Sequence, residues 1–384
     1  MEEHNFWKTQ PIQDTTKKEK INETSDITEL NDDMFPKEPY KLLDNFYWYT
    51  IDNNNQQDLL DLQTFLYENY NDNYNDNGDN FGLFYKKELL QWYMNKPNSY
   101  KDMFFCVKYN NKIVGSIVGV PINISIFEKK SKIIETTFLC INKKIRHKNL
   151  ASIMIKEILR RMYYNNESYG YYTTHLKLPN TLTSAKIFHR PLNLKKLLDI
   201  NFITKPQNIT QSGYEKIFRI PDKLKLNIRK IKENDLEYCC NRLNEFNKKY
   251  NVHQVFTLEE FRHKFYSSDK IIDTFVVENN NKITDFISVC YLSSRIFNNE
   301  IYTDYTIAQI YNYFYESSLV DLVNDLLMLM KNNNIDVLNC INQMDNHLFL
   351  DKLNFKEGSG ELHFYFWNKL CPKITNKDIS IITI

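Results

Sequence analysis

No stretch of this 384-residue sequence approaches the ~18–20 consecutive apolar residues of a membrane span, and the opening residues, MEEHNFWKTQPIQD, hold no apolar core of a secretion signal. We therefore expect no integral membrane segment and a soluble, cytoplasmic protein. Net charge is lacking too: 49 Lys and Arg stand against 48 Asp and Glu, formally +1, which gives no reason to expect nucleic acid as a partner. The seven cysteines form no CxxC pair, and Cys239 and Cys240 are adjacent, so neither a disulfide framework nor a zinc ribbon is supported. A reducing compartment fits. The eight histidines show no ligand spacing, so no metal is expected, and no Ser-His-Asp set stands out for covalent catalysis. Asparagine, by contrast, is abundant and often in runs such as Asn53 to Asn55, which fits a nucleotide bias of the genome. Sequons such as Asn123-Ile-Ser then carry little weight in a cytosolic chain.

What is present is concentrated in residues 133–161, IIETTFLCINKKIRHKNLASIMIKEILRR. An alternating, β-prone run from Ile134 to Ile141 leads into a basic turn with Lys143, Lys144, Arg146 and Lys148. The turn feeds a helix whose apolar residues Leu150, Ile153, Met154, Ile158 and Leu159 recur at helical spacing. Orphan N–H groups at a helix start, the helix dipole and neighbouring cations together make a seat for phosphate. A strand ending just before such a seat can also offer N–H groups to a reacting carbonyl, as acyl transfer from a thioester requires. Taken alone, the same residues also describe a basic surface turn ahead of an ordinary amphipathic helix.

The chain is long enough for two or three domains, and an internal repeat organises it. FFCVKYNNKIVGSIVGVP (104–121) and FVVENNNKITDFISVCYL (275–292) each read as two β runs around an Asn-Asn-Lys turn. Upstream of the first lie FYWYTID and a helical pattern through Leu59, Leu60, Leu62 and Phe65. Upstream of the second lie LNIRKIKEND and a pattern through Leu236, Cys239, Cys240 and Leu243. Two copies of one α+β module, joined near Ile220-Pro221-Asp222, account for this order. The second copy reaches its own helix, near Ser317 to Met330, without a cation cluster, so only the first should hold phosphates. The second is left as the partner-binding wall. Residues 1–35 read as a polar arm in which Phe6 and Trp7 should dock. The apolar segment Ile379 to Ile384 should be buried, carrying the terminal carboxylate inward, although its composition alone favours a plain edge strand.

Several segments resemble the glycylpeptide N-tetradecanoyltransferase, or N-myristoyltransferase, family. They are Phe6-Trp7-Lys8-Thr9-Gln10-Pro11-Ile12, the run Glu135 to Ser152, Tyr172-Thr173-Thr174-His175, His189-Arg190-Pro191-Leu192-Asn193, Ile271 to Asn279 and Thr284 to Phe286. The likeness implies an α+β fold of two fused acetyltransferase-like (GNAT) halves, related by a pseudo-twofold axis around a saddle-shaped mixed sheet. It divides the chain into an arm (1–35), an acyl-CoA-binding half (36–215) and a peptide-binding half (216–384). It also implies a monomer that transfers the acyl group of myristoyl-CoA to proteins beginning with glycine. Phe6 and Trp7 would close over the coenzyme A, backbone N–H groups of Phe138 and Leu139 would polarise the thioester, with Cys140 and Ile141 following, and Arg146, His147, Lys148, Asn149, Leu150 and Ala151 would hold the phosphates. Thr173 and Tyr172 would place the glycine amine, His189, Gln309 and Asn339 would meet the peptide, and the carboxylate of Ile384 would deprotonate the amine. An N-acetyltransferase on the same fold and an inactive acyl-CoA-binding protein remain alternatives.

The departures from the family pattern cluster on the peptide side. Thr136-Thr137 replace Ile-Asn, Asn142 replaces His and Asn149 stands for Arg. Thr174-His175 replace Ala-Gly, Ser359 replaces an acid and Gln309 a Ser. The loop NDNYNDNGDN (71–80) fails as a calcium loop, because Phe84 falls where a bidentate Glu must sit. It reads either as a solvated loop or, through Asp72, Asp76 and Asp79, as an attractor of basic substrate residues.

Overall fold

A computed structural model describes residues 5–16, 21–70, 81–266, 271–297 and 299–383. Among the described residues, fifteen strands share one sheet: β1 (Phe46–Thr50), β2 (Phe81–Phe84), β3 (Phe104–Tyr109), β4 (Lys112–Ile126), β5 (Lys129–Ile141), β6 (Gly170–Thr174), β7 (Thr183–Pro191), β8 (Ile228–Lys230), β9 (Val252–Gln254), β10 (Ile272–Asn279), β11 (Lys282–Ile296), β12 (Asp304–Phe314), β13 (Val337–Ile341), β14 (Lys356–Trp367) and β15 (Ile379–Ser380). The helices are α1 (Asn5–Lys8), α2 (Gln56–Asn69), α3 (Lys87–Met94), α4 (Leu150–Tyr164), α5 (Leu194–Asp199), α6 (Gln211–Ile217), α7 (Leu236–Asn247), α8 (Leu258–Phe265) and α9 (Leu319–Asn332).

The strand order β1-β3-β4-β5-β6-β14-β7-β13-β12-β11-β10-β8 reads the same way from either end. Both Asn-Asn-Lys turns are built alike, with φ of 48° and 60° at Asn110 and Asn111 and 49° and 60° at Asn280 and Asn281. Positive φ at both central residues matches the strand twist of a tight hairpin, and asparagine tolerates it. In each half the hairpin's long strand pairs antiparallel with the next, β4 with β5 and β11 with β12. That strand then pairs in parallel with a short one, β5 with β6 and β12 with β13. The halves then exchange strands: β14 lies on β6 and β7 on β13, while β2 adds to β11 and β9 to β4. No single cut of the chain separates the two copies, and the expected divide at 215/216 falls inside α6.

Helix positions follow from local chemistry. Asn55 caps α2 by accepting from the N–H groups of Gln57 and Asp58, and Thr257 with Glu260 forms a reciprocal cap on α8. Leu59, Leu62 and Phe65 of α2 are buried as their spacing requires, but Leu60 is exposed. On α7 all four expected residues are buried. Among the described residues no helix is long and apolar enough to cross a membrane, and all seven cysteines are buried without a disulfide.

More than Phe6 and Trp7 orders the arm. Residues 10–13 and 24–28 flank the chain after β14: the N–H of Asn368 donates to Pro11 O at 2.8 Å, that of Cys371 to Gln13 Oε1 at 2.7 Å and that of Leu370 to Ser25 O at 2.8 Å. Further along, the segment carrying Lys37 and Tyr40 is fixed to α4 by fully buried Glu157. Its carboxylate accepts from Arg160, Arg161 and the Tyr40 N–H at 2.8–3.1 Å. Burial pushes its pKa up, but the hydrogen bonds from Arg160, Arg161 and Tyr40 more than offset this and hold it below the ordinary 4.5. Such a group stabilises the fold above its unfolded pKa, and the contribution is lost as pH falls through the folded value. Glu157→Gln should therefore cost about 3–5 kcal/mol near neutrality. It should also flatten the acid limb of a stability-versus-pH curve, measured by denaturant titration, and an acid limb parallel to wild type would contradict this account.

Candidate active site

The strand β5 carries a bulge at its functional end. Ser116 pairs with Cys140 and Val118 with Thr137, so Ile117 alone faces both Phe138 and Leu139. Phe138 has φ of 53°, a left-handed conformation that costs a bulky residue on the order of 1–3 kcal/mol. Its surroundings impose it. The buried ring packs against Tyr70, Tyr85 and Tyr93 at centroid distances of 6.2, 5.1 and 5.6 Å, and the Ser116 hydroxyl donates to the Phe138 carbonyl at 2.9 Å. On the other side, the described β5–β6 ladder ends at Thr136↔Tyr172. The bulge thus takes the amides of Phe138 and Leu139 out of the regular ladder where the neighbouring strand has parted. Oxyanion stabilisation needs donors so placed. Leu139 is half-buried, whereas Cys140 and Ile141 point into the core. Sequence reasoning found the strand but not Ser116 or the tyrosine cage, which come from separate elements without a local pattern.

Beyond the bulge, residues 143–148 form a 3-10 turn, and Asn149, with φ of 54°, swings the chain into α4. No side chain caps α4 and its first turn holds no acid, so its first N–H groups keep no side-chain partner, and Lys144, His147 and Lys148 just ahead of them are exposed. Arg146 is turned toward the backbone, donating to Ile141 O at 3.3 Å and Asn69 O at 2.7 Å. Leu150 is buried and Ala151 half-buried on the helix's inner side. The second half has closed both counterparts. Its bulge between Ile287↔Tyr313 and Val289↔Ile310 is plugged by Ser288, whose hydroxyl donates to Asn312 O and accepts from the Asn312 N–H, each at 3.1 Å. Its helix, α9, is capped by Ser318 and carries Asp321 in the first turn.

Across the parting, Thr173 stands one residue past the last β5–β6 pair, and its hydroxyl lies 3.3 Å from that of Thr383. The tail reaches this point by pairing β15 in parallel with β9 and then burying Ile381 and Ile382. Gln343 Nε2 donates to the Ile381 carbonyl at 3.3 Å. Ile384 lies outside the described residues, as do Asp72, Asp76 and Asp79. Tyr172 sits in a stack, with Trp7 on one face at 5.4 Å and Tyr365 on the other at 5.0 Å, and Phe6 meets Trp7 edge-on. The exposed His175 holds Glu361 O through Nδ1 at 3.1 Å.

The register also aligns Gln309, Asn339 and His189 in one row across β12, β13 and β7. His189 Nδ1 lies 2.7 Å from Asn339 Oδ1, which as an acceptor assigns the hydrogen to Nδ1. Burial lowers the His189 pKa, so the ring is neutral near pH 7. A bulge of β14, with residues 358–360 opposite Ile187 alone, passes over this ring, and a Cβ at Gly358 would fall 2.2 Å from Nε2. Only glycine fits. Among the described residues no group of three or more His, Cys, Asp or Glu could hold a metal.

Two like halves on one sheet, of which only the first keeps an open bulge and an uncapped helix start beside cations, define an acyltransferase drawing on coenzyme A. Residues 26–185 match the N-terminal domain, and residues 199–381 the C-terminal domain, of myristoyl-CoA:protein N-myristoyltransferase. The glycylpeptide N-tetradecanoyltransferase of Plasmodium falciparum (isolate 3D7) is 34% identical over 389 residues, covering 100% of this chain and 94% of that one. Glycylpeptide N-tetradecanoyltransferase 2 of Bos taurus is 33% identical, covering 99% and 76%. The crystal structure of Saccharomyces cerevisiae N-myristoyltransferase with bound myristoyl-CoA matches with a TM-score of 0.94 at 30% identity, over 100% of both chains. The chain belongs to the N-myristoyltransferase family.

Proposed function

We propose that this protein transfers the tetradecanoyl group of myristoyl-CoA to the N-terminal glycine amine of other proteins, acting as a cytoplasmic monomer. The observation that carries the reading is the approach of the tail to Thr173, 3.3 Å between hydroxyls, across the strand parting from the Phe138 bulge. Residues 146–151 hold the coenzyme's phosphates, with Phe6 and Trp7 closing over it. Thr173, beside Tyr172, places the amine, and the carboxylate of Ile384, the residue after Thr383, takes its proton. An α-amino group titrates near ~8 and an α-carboxyl near ~3.5, so the base works only if desolvation raises it, which the buried isoleucines before it favour. The neutral nitrogen attacks the thioester carbon, the N–H groups of Phe138 and Leu139 receive the oxyanion, and collapse breaks the C–S bond, the departing thiolate taking the surplus proton of the nitrogen to leave an amide and the free thiol of coenzyme A. No covalent enzyme intermediate is required. Gln309, Asn339 and His189 face the peptide further along, and Asp72, Asp76 and Asp79 attract its basic residues.

Mass spectrometry of a glycine-starting peptide incubated with myristoyl-CoA and acetyl-CoA in competition tests this. The expected product carries tetradecanoyl on its α-amine; preferential acetylation would make the protein an N-acetyltransferase, and acyl-CoA binding without product would make it inactive.

A further inference from the structure

On β4 the run Ile113 to Ile122, IVGSIVGVPI, carries one polar side chain, that of Ser116, and it is fully buried. A hydroxyl so placed is costly unless it is hydrogen-bonded. Its single hydrogen goes to the carbonyl of Phe138 at 2.9 Å, across the ladder and not to the residue it pairs with, Cys140.

Phe138 and Leu139 share one planar trans peptide unit, in which the carbonyl of the first and the N–H of the second point in opposite directions. The tyrosine cage holds the Phe138 ring and, with it, φ. The peptide plane that follows can still turn about ψ, the other soft torsion of the residue, until something grips its carbonyl. Ser116 does so from β4. The two neighbours of β5 lie along opposite edges, β4 on one and β6 on the other. A carbonyl drawn toward β4 therefore sends the Leu139 N–H toward the β6 edge, where the ladder has ended at Thr136↔Tyr172. The serine at the second half's bulge acts otherwise: Ser288 takes both the carbonyl and the N–H of one residue, Asn312, so that N–H is already engaged. Resting on the acyl-transfer reading above, we infer that Ser116 is a positioning residue of the oxyanion hole, holding the Phe138 carbonyl so that the Leu139 N–H is aimed at the thioester oxygen. The hydroxyl itself touches no reacting atom.

The test is the infrared carbonyl band of myristoyl-CoA, isotope-labelled at its carbonyl carbon and bound without peptide to the full chain, in wild type and in Ser116→Ala. An aimed donor polarises the carbonyl, so the wild-type band should lie below that of the free thioester, and Ser116→Ala should lose most of that lowering. Single-turnover transfer to a glycine-starting peptide should slow by about tenfold, short of the roughly 10²–10³-fold for loss of a whole donor, because the N–H is still there but no longer fixed. Acyl-CoA Kd and the peptide's KM should not change. Ser116→Cys, a weak donor of similar size, should fall between the two, and it carries the same comparison if the alanine chain does not fold. A band lowered as much in the folded variant as in wild type overturns the role given to Ser116, whatever the rate does. Matching losses of rate and of acyl-CoA affinity overturn it too, since they mark a merely structural residue. A wild-type band no lower than that of the free thioester would instead remove the oxyanion hole from the mechanism, and this role of Ser116 with it.

Discussion

Adding two glycine residues after Ile384 is expected to lower kcat for amide formation by about 10²–10⁴-fold, the range of a general base, and to leave acyl-CoA affinity unchanged. The tail is held upstream of its end: β15 pairs with β9, Gln343 grips Ile381, and Thr383 meets Thr173. Extension should leave those contacts in place and move only the carboxylate away from the amine. The elements proposed to hold acyl-CoA lie on β5 and α4, apart from the tail's end, so binding should survive. Ile384→Val keeps the carboxylate and should retain activity. Measuring kcat by product formation and Kd by titration separates the two effects. Unchanged turnover in the extended chain would remove the carboxylate from the mechanism, and a matching loss of acyl-CoA binding would make the tail a structural element instead.

The parts of this fold that were readable from sequence are those fixed by near neighbours. The twin Asn-Asn-Lys turns, the helix caps and the basic turn before α4 each depend on a few adjacent residues, and each is found where its pattern lies. The second-half helix, expected near 317–330, runs from Leu319 to Asn332 with Ser318 as its cap. Leu60 points outward because, at about 100° per residue, it falls on the side of α2 away from buried Leu59, Leu62, Phe65 and Leu66. The strand exchange was not legible, because pairings such as β14 with β6 join residues nearly 200 apart with no local cue. Nor was the bulge. Nothing in Phe138-Leu139-Cys140 marks a left-handed backbone, and glycine, the usual sign of one, is absent there. The row of Gln309, Asn339 and His189 likewise exists only through register between strands far apart in sequence.

Phe138 offers the second large effect. Phe138→Ala removes a buried ring from the tyrosine cage and should cost about 3–5 kcal/mol. Phe138→Gly removes the same ring but relieves the left-handed backbone, worth roughly 1–2 kcal/mol per residue. The glycine variant should therefore be the more stable of the two, the reverse of the usual order in strands, where glycine is the poorer residue. Activity should not follow stability. Without the cage to hold φ near 53°, the amides at 138 and 139 lose their fixed aim, and kcat should fall by about 10²–10³-fold in both variants, as when one oxyanion donor is lost. Because the helix start and its lysines are untouched, acyl-CoA should bind as before. Denaturant unfolding and single-turnover kinetics on the pair measure the two quantities independently. If alanine proves at least as stable as glycine, the strain assigned to Phe138 is not there; if glycine restores kcat, the bulge does not need its ring to aim the donors.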